Sequence, residues 1–505
     1  MSSPVVLHLK NITKRFGSFA ANDDISIELR RGEVVALLGE NGAGKTTLMN
    51  ILFGHYVPDE GQVFIEGKEV PPGRPKAAIA AGVGMVHQHF SLAKNLTVLE
   101  NVMTGTQPLS SAKLDIAKGK ARLKELEKNF GLAVNPDARV GSLSVGEQQR
   151  VEILKALYNN ARILILDEPT GVLTQQEAEG LFRTLRTMAA DGLSIIFISH
   201  KLNEVMTGAD RVVVLRAGKA TAERKTSETT KEELAELMVG RRVERPVREA
   251  STPGDVVVRA VDVNLKASEY VNLQNLNFEV RAGETLGIVG VSGNGQAALC
   301  DLVAGVVQPQ SGTLEIAGQS VNGLNPRALS NMDVGRTPED RNTQGAVGEM
   351  TLWENSVLER INDPRFSKNG FVKRTESRAY CQELIDRFDV RGGTPNSRIS
   401  LLSGGNMQKL ILGRSLSKTP IFLLAAQPTR GLDEGAIAAI HEDILAARKQ
   451  GTAILLVSED LDEVVGLSDR IIAIHGGKLS PAVDASKVDS RQLGLMMAGE
   501  WGGLG

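Results

Sequence analysis

The side chains of this chain best suited to chemistry stand in three places. Lys45 and Thr46 lie near the end of the run GENGAGKTT at residues 39–47; Asp167 and Glu168 follow the apolar run ILIL; His200 follows SIIFIS. Gly39, Gly44, Lys45 and Thr46 occupy every fixed position of the G-x-x-x-x-G-K-[ST] pattern, with Asn41, Gly42 and Thr47 completing the loop. Glycines let backbone N–H groups turn inward around phosphates, and a helix opening behind them adds the positive end of its dipole. In such a loop Lys45 reaches the β/γ-phosphates of a nucleotide, and the Thr46 hydroxyl ligates Mg²⁺. Asp167 then reads as a metal carboxylate acting through water, and Glu168 as general base on an attacking water. His200 is placed to contact the γ-phosphate and orient that water. Gln88 adds an amide that could ligate Mg²⁺ and sense the γ-phosphate.

These groups need strand ends and a helix start to hold them. The apolar run 34–38 leads into the loop and the helix-compatible stretch 47–53 follows it. The runs before Asp167 and His200 read as buried strands, and residues 83–86 as another, with Gln88 in the loop beyond. Residues 5–9 and 25–29 alternate like strands, whereas 113–129, with frequent Lys, Glu and Leu, reads as helix. Strands alternating with helices predict a mostly parallel sheet flanked by helices, with a helical subdomain set into it.

The pattern then recurs. GVSGNGQAAL starts at Gly290, 251 positions after Gly39, and Gln296 stands 251 after Lys45. LSVGEQQ at 143–149 matches LSGGNMQ at 402–408, and SHKLNEV at 199–205 matches SEDLDEV at 458–464, both 259 positions apart. ILILDEPTG at 163–171 matches FLLAAQPTRG at 422–431 if one extra residue is allowed. The second copy therefore carries a net insertion of eight between its two motif groups. This is duplication of a whole domain. It divides the chain into residues 1–245, a Pro- and Gly-containing link at 246–254, and 255–500.

The copies differ where chemistry would occur. Lys45 becomes Gln296, Thr46 becomes Ala297, Asp167 and Glu168 become Ala426 and Gln427, and His200 becomes Glu459. Five losses in one pocket argue against hydrolysis in the second copy. The turns before the helices diverge in the opposite sense. Ser403, Gly404, Gly405 and Asn406 keep a hydroxyl and two glycines at a helix N-terminus suited to anions, where the first copy has Ser144-Val145-Gly146-Glu147.

Composition sets bounds. Lys plus Arg number 58 and Asp plus Glu 60, a net charge of −2 that gives no support to a nucleic-acid-binding surface. Hydrophobic residues at 42% supply ample core. Cys300 and Cys381 have no metal-ligand spacing and read as unpaired thiols in a reducing compartment. No leader pattern is visible and no run reaches the ~18 apolar residues of a membrane span, so no direct membrane insertion is expected.

GENGAGKT, Gln88, LSVGE, ILILDEP, His200 and LSGGN, in this order and in two copies, resemble the ATP-binding-cassette (ABC) family across nearly the whole chain. The resemblance implies an α/β fold of two tandem P-loop nucleotide-binding domains, each a RecA-like α/β core with a helical subdomain. It implies ATP and Mg²⁺ as ligands, and cassettes paired head to tail, with each ATP between the phosphate loop of one and the signature of the other. The loop at 39–47 would then be completed by the signature at 402–408, leaving one complete site and one degenerate site. Phe16 falls where the family stacks an aromatic on adenine.

Tandem cassettes without membrane spans are similar to the ATPase subunit of bacterial sugar and nucleoside importers. MVHQHFSL at 85–92 and AAQPTRGLD at 425–433 resemble the nucleoside (basic-membrane-protein) branch more than the ribose branch. The partners so implied are two transmembrane permease subunits and an extracytoplasmic solute-binding protein, at the cytoplasmic face of the membrane. The helical segments after Gln88 (roughly 90–140) and after Arg341 are the implied docking surfaces. A soluble tandem-cassette factor acting on ribosomes or nucleic acid is the reading from another class. The short link, balanced charge and ruined second site count against it.

Overall fold

The computed structural model describes residues 3–17, 19–87, 90–106, 115–170, 173, 175–240, 246–266 and 271–501. The chain forms two compact units, Met1–Val243 and Glu244–Gly505.

In the first unit, β1 (Val5–Phe16) and β2 (Phe19–Arg30) form an antiparallel hairpin, followed by β3 (Val34–Leu38) and α1 (Lys45–Phe53). Next come β4 (Glu60–Ile65), β5 (Lys68–Glu69), α2 (Pro75–Ala80), β6 (Val83–Val86), α3 (Val98–Met103), α4 (Ile116–Phe130) and α5 (Val145–Tyr158). The unit continues through β7 (Ile163–Asp167), α6 (Gln175–Ala190), β8 (Ser194–Ser199) and α7 (Leu202–Gly208), then β9 (Arg211–Arg216), β10 (Lys219–Lys225) and α8 (Lys231–Val239). The main sheet has the order β10-β9-β3-β8-β7-β6, parallel except for β10. An antiparallel sheet, β2-β1-β4-β5, covers one of its faces.

β3 is central and buried on both faces, as a strand inside a parallel sheet must be. Val34, Ala36 and Leu38 join the core beneath α3 to α7, while Val35 and Leu37 join a second core with α1 and the antiparallel sheet. Two apolar layers thus clamp the strand that delivers the phosphate loop. The helical subdomain hangs on α3, which opens with a capping box between Thr97 and Glu100.

The second unit repeats this plan. Its main sheet runs Val334–Thr337, Phe422–Ala426, Ala453–Val457, Thr285–Val289, Arg470–His475 and Lys478–Leu479, with Val483–Asp484 pairing on Arg470–His475. The covering sheet is Asn272–Arg281, Val256–Lys266, Ser311–Ile316 and Gln319–Ser320.

The structure locates the eight inserted residues. The strands at Val83 and Val334 are 251 positions apart, but the helices at Val98 and Leu352 are 254 apart. Three residues therefore enter around the turn Arg341–Gly345, and five more before the signature helices, whose N-caps Ser144 and Ser403 are 259 apart. The extra residue allowed after the ILILDEP strand is not there. Strands at Ile163 and Phe422, and helices at Gln175 and Glu434, all keep the spacing of 259. At that spacing Gly171 aligns in sequence with Arg430 and not with Gly431.

Residues 248–254 are held by the second unit. Arg248 pairs with Asp469 at 2.8 Å, Arg448 donates to the Glu249 carbonyl at 3.0 Å, and Gly254 N–H donates to Ala282 O at 2.9 Å.

Candidate functional site

β3 ends at Leu38 and α1 begins at Lys45, so residues 39–44 form the turn between a buried strand and a helix N-terminus. Gly44 sits at the helix N-cap with φ 97°, and a Cβ there would collide with the Ala21 carbonyl. A side chain on Gly39 would strike the Leu215 carbonyl. Gly42, at φ 84°, faces open space instead, and its glycine serves the backbone turn. Asn41 and Thr46 are exposed at the loop mouth and Thr47 is half-buried. Lys45 is buried, with its ammonium folded onto the Gly39 and Glu40 carbonyls at 2.7 and 2.9 Å. From below, the Asn22 amide donates to Gly44 O at 3.0 Å and fixes the loop to β2.

β7 and β8 lie side by side and bring their C-terminal ends to this loop. Asp167 is the last residue of β7 and is almost wholly buried. Burial first, and the neighbouring Glu168 charge second, push its carboxyl up to about 6, against the downward pull of the Thr46 hydroxyl and Lys45. Glu168 turns off the strand with φ 46° and accepts from the His200 ring, Nδ1 to Oε1 3.1 Å. Burial works upward on Glu168 too, but the His200 hydrogen bond and the charges of His200, Lys45 and Lys201 outweigh it and hold the carboxylate low. The two adjacent carboxylates are thereby driven apart: one retains its proton into mildly acidic solution, the other stays ionised. A further buried contact, Thr170 with Glu204 and Ser199 with Glu204 (2.8 Å), ties the loop after β7 to α7.

At the matching place in the second unit the same backbone carries different side chains. The Gln296 amide imitates the lysine, donating to Val291 O at 2.9 Å and accepting from Asn294 N–H at 3.1 Å. The loop is held closed without a positive charge, and one of its N–H groups is spent on that side chain. Ala426 ends the strand, and Gln427 follows at φ 48°. The Gln427 side chain accepts from Glu459 N–H at 3.3 Å in place of the His200 contact.

The signature turns differ as sharply. Ser144 and Glu147 form a capping box in which the serine hydroxyl donates to Oε2 at 2.9 Å, and the serine contacts hold the Glu147 carboxylate low. That helix N-terminus already has its anion. Ser403 instead accepts from the Asn406 amide at 2.9 Å, which leaves its O–H hydrogen for another acceptor. Gly404 and Gly405 open the helix Gly404–Leu416 behind it.

Within the first unit the structure therefore gathers the phosphate loop, Asp167, Glu168 and His200. Ser403, Gly404, Gly405 and Asn406 cluster within the second. Phe16 is 48% exposed at the end of β1, with the Lys14 ammonium over its ring, 5.6 Å from the centroid. Tyr56 meets it edge-on at 5.8 Å, a partner the sequence reading missed, as it missed Asn22. Gln88 lies outside the described residues. The histidine before it, His87, stacks on His55 at 5.7 Å.

Two layered α/β units, one with a complete phosphate loop and a carboxylate–histidine pair at adjacent strand ends, define a tandem P-loop nucleotide-binding protein. The sequence profile of the ABC transporter family matches residues 22–171 and 273–430, and the chain belongs to that family. It is 43% identical to the nucleoside import ATP-binding protein NupA of Lactococcus lactis subsp. cremoris, over 99% of both chains. It is 40% identical to the guanosine import ATP-binding protein NupO of Bacillus subtilis, over 98% of this chain and 97% of that one. The ribose import ATP-binding protein RbsA of Caldanaerobacter subterraneus is 35% identical, over 98% and 99%. Among solved structures, an archaeal ribosome recycling factor, aABCE1, shares the fold with a TM-score of 0.65 at 20% identity, covering 97% of this chain and 92% of that one. No described helix is long and apolar enough to cross a membrane.

Proposed function

We propose that the chain is the ATP-hydrolysing subunit that powers a nucleoside importer. Full-length similarity to a nucleoside import ATP-binding protein at 43% identity is the observation that carries the solute class. Its partners in this reading are two membrane-spanning permease subunits, on whose cytoplasmic side it sits peripherally, and an extracytoplasmic solute-binding protein. A sugar is the second reading, favoured by 41% identity over 99% of this chain to a glucose import ATP-binding protein of Haloferax volcanii.

In this reading the phosphate loop cradles the ATP phosphates with backbone N–H groups, and Lys45 turns from the Gly39 and Glu40 carbonyls to the β/γ-phosphates. Glu168, kept ionised beside His200, takes a proton from the attacking water, while His200 holds that water against the γ-phosphate. Phe16 stacks on the base. The donors at the loop mouth suit a hard cation. Thr46 offers a hydroxyl and Asp167 a buried carboxylate, its pKa raised by that burial and by the Glu168 charge, with Gln88 as a further oxygen donor. Mg²⁺ held there would neutralise charge on the β- and γ-phosphate oxygens. By family analogy the Ser403–Asn406 signature also meets ATP, and the pocket of Gln296, Ala297, Ala426 and Gln427 does not hydrolyse.

Reconstitution with the cognate membrane proteins tests the proposal. ATP-dependent accumulation of labelled guanosine or uridine in proteoliposomes, with none of ribose or glucose, is the expected result. Accumulation of the sugars alone would establish the second reading.

A further inference from the structure

Arg341 opens the π-turn Arg341–Gly345 of the second unit, in one of the segments lengthened relative to the first. Its guanidinium lies directly over the signature turn: a Cβ on Gly404 would come within 2.8 Å of Nη2 and 3.2 Å of Cζ. Glycine at 404 is the space this arginine occupies. In the first unit Val145 fills the corresponding position, and the residue 251 places before Arg341 is Phe90. The arginine accompanies the signature that kept its glycines.

The electrostatics of Arg341 are one-sided. Its one hydrogen bond among the described residues is from Nη1 to the Arg430 carbonyl, at 2.7 Å. Nearby carboxylates are engaged elsewhere. Asp340 accepts from the backbone of Asn342 and Thr343 and from the Thr343 hydroxyl, and Glu339 pairs with Arg430. Burial pulls the guanidinium pKa down, Asp340 raises it, and Arg430 lowers it again. A cation half-buried at the positive end of a 13-residue helix is unfavourable unless an anion comes to it. A cleft of about 410 Å³ bordered by Arg341, Asn342, Ser400, Gly404 and Met407 leaves room for the guanidinium to move.

We propose that Arg341 is a nucleotide-contacting residue: its guanidinium joins the Ser403 hydroxyl and the amides of Gly404 and Gly405 in receiving the terminal phosphate of ATP. This rests on the reading that the second-unit signature meets ATP. Arg341 supplies there the charge that the glycine-rich turn, made of neutral donors, does not have.

The test uses the full chain and compares Arg341→Met, Arg341→Lys and Glu168→Gln. Steady-state ATPase gives kcat and KM, and a fluorescent ATP analogue gives affinity in the E168Q background. R341M should lower kcat/KM on the order of tenfold or more and weaken analogue binding, whereas R341K should stay within about threefold because it keeps the cation. If R341M loses cooperative unfolding, Arg341→Gln, neutral but still a donor, takes its place with the same expectation. Unchanged kcat/KM in the neutral variant, or an R341K as impaired as R341M, overturns the proposal; the former would mean the side chain only fills space, the latter that its charge is not what the site uses. Loss of turnover in E168Q beside a normal R341M overturns this inference alone. Absence of both ATP turnover and analogue binding in the unsubstituted chain overturns the proposed function, and this inference with it.

Discussion

Replacing Glu168 by Gln separates the chemistry of this site from its architecture. The substitution keeps the size of the side chain and an oxygen for the His200 ring, now 3.1 Å away. The backbone accommodates it, because Gln427 holds the equivalent position at φ 48° where Glu168 has φ 46°. What disappears is the proposed base. A positioned general base contributes roughly 10²–10⁴ in rate, so the barrier should rise by about 3–5 kcal/mol. Binding should move the other way. One negative charge fewer beside the phosphates leaves Lys45 less compensated, so ATP affinity is kept or increased. The Asp167 carboxyl should fall part of the way back from about 6, since burial, its larger cause, remains and the Glu168 charge does not. Phosphate release measured beside equilibrium binding of a fluorescent ATP analogue resolves both effects. Turnover within about threefold of wild type would refute the base assignment. Loss of affinity in step with turnover would show that Glu168 holds the pocket together instead.

Asp167→Asn addresses pH. A carboxyl whose folded value of about 6 exceeds the ordinary 3.8 binds its proton more tightly when folded, so its ionisation subtracts from stability. The subtraction, about 3 kcal/mol, is full above pH 6, shrinks as pH falls through 6, and is gone below 3.8. D167N should therefore raise Tm by several degrees at pH 8 and by about half as much at pH 5, while turnover is lost at both; a pH-independent Tm difference would contradict the burial argument. Ser403→Ala should slow hydrolysis while Ser144→Ala does not, because among the described residues the Ser144 O–H is given to Glu147 and the Ser403 O–H to no acceptor. Equal effects of the two in a steady-state assay would remove the distinction between the signatures. Gln427→Ala should leave hydrolysis nearly intact, since the one hydrogen bond of its side chain among the described residues is a 3.3 Å acceptance from a backbone N–H. A loss comparable to that of E168Q would mean the second pocket turns over.

What the sequence disclosed was whatever depends on near neighbours. The phosphate loop and the apolar strands before Asp167 and His200 are local patterns that stand where they were read, and the duplication was legible because such local patterns recur. The segment read as helical at 113–129 is described as α4 from Ile116 to Phe130. Long-range contacts were not legible. Tyr56 meets Phe16 across 40 positions, and Arg341 reaches Gly404 across 63, so no window along the chain holds both partners. One local pattern was visible and underused. Ser144 with Glu147 is the S-x-x-E of a capping box, which explains the glutamate as the turn's own occupant and not merely as a degraded motif. The extra residue assigned to FLLAAQPTRG had a different cause. Aligning one glycine with another outweighed the helix spacing, which only the folded strand and helix ends make plain.

The left-handed backbone at Glu168 invites the idea that strain is stored there to drive the reaction. Its copy answers that. Gln427 adopts the same φ to within two degrees, and its main-chain N–H takes the next strand's carbonyl, Val457 O at 2.7 Å, as Glu168 takes Ile198 O at 3.1 Å. A half with alanine, glutamine and glutamine where the other has Asp167, Glu168 and Lys45 still bears the same contortion. The twist therefore belongs to the way a parallel strand leaves its sheet, not to turnover. The duplicated chain is its own control: whatever both halves retain is architecture, and the reactive chemistry must be sought among the few side chains that only one of them has kept.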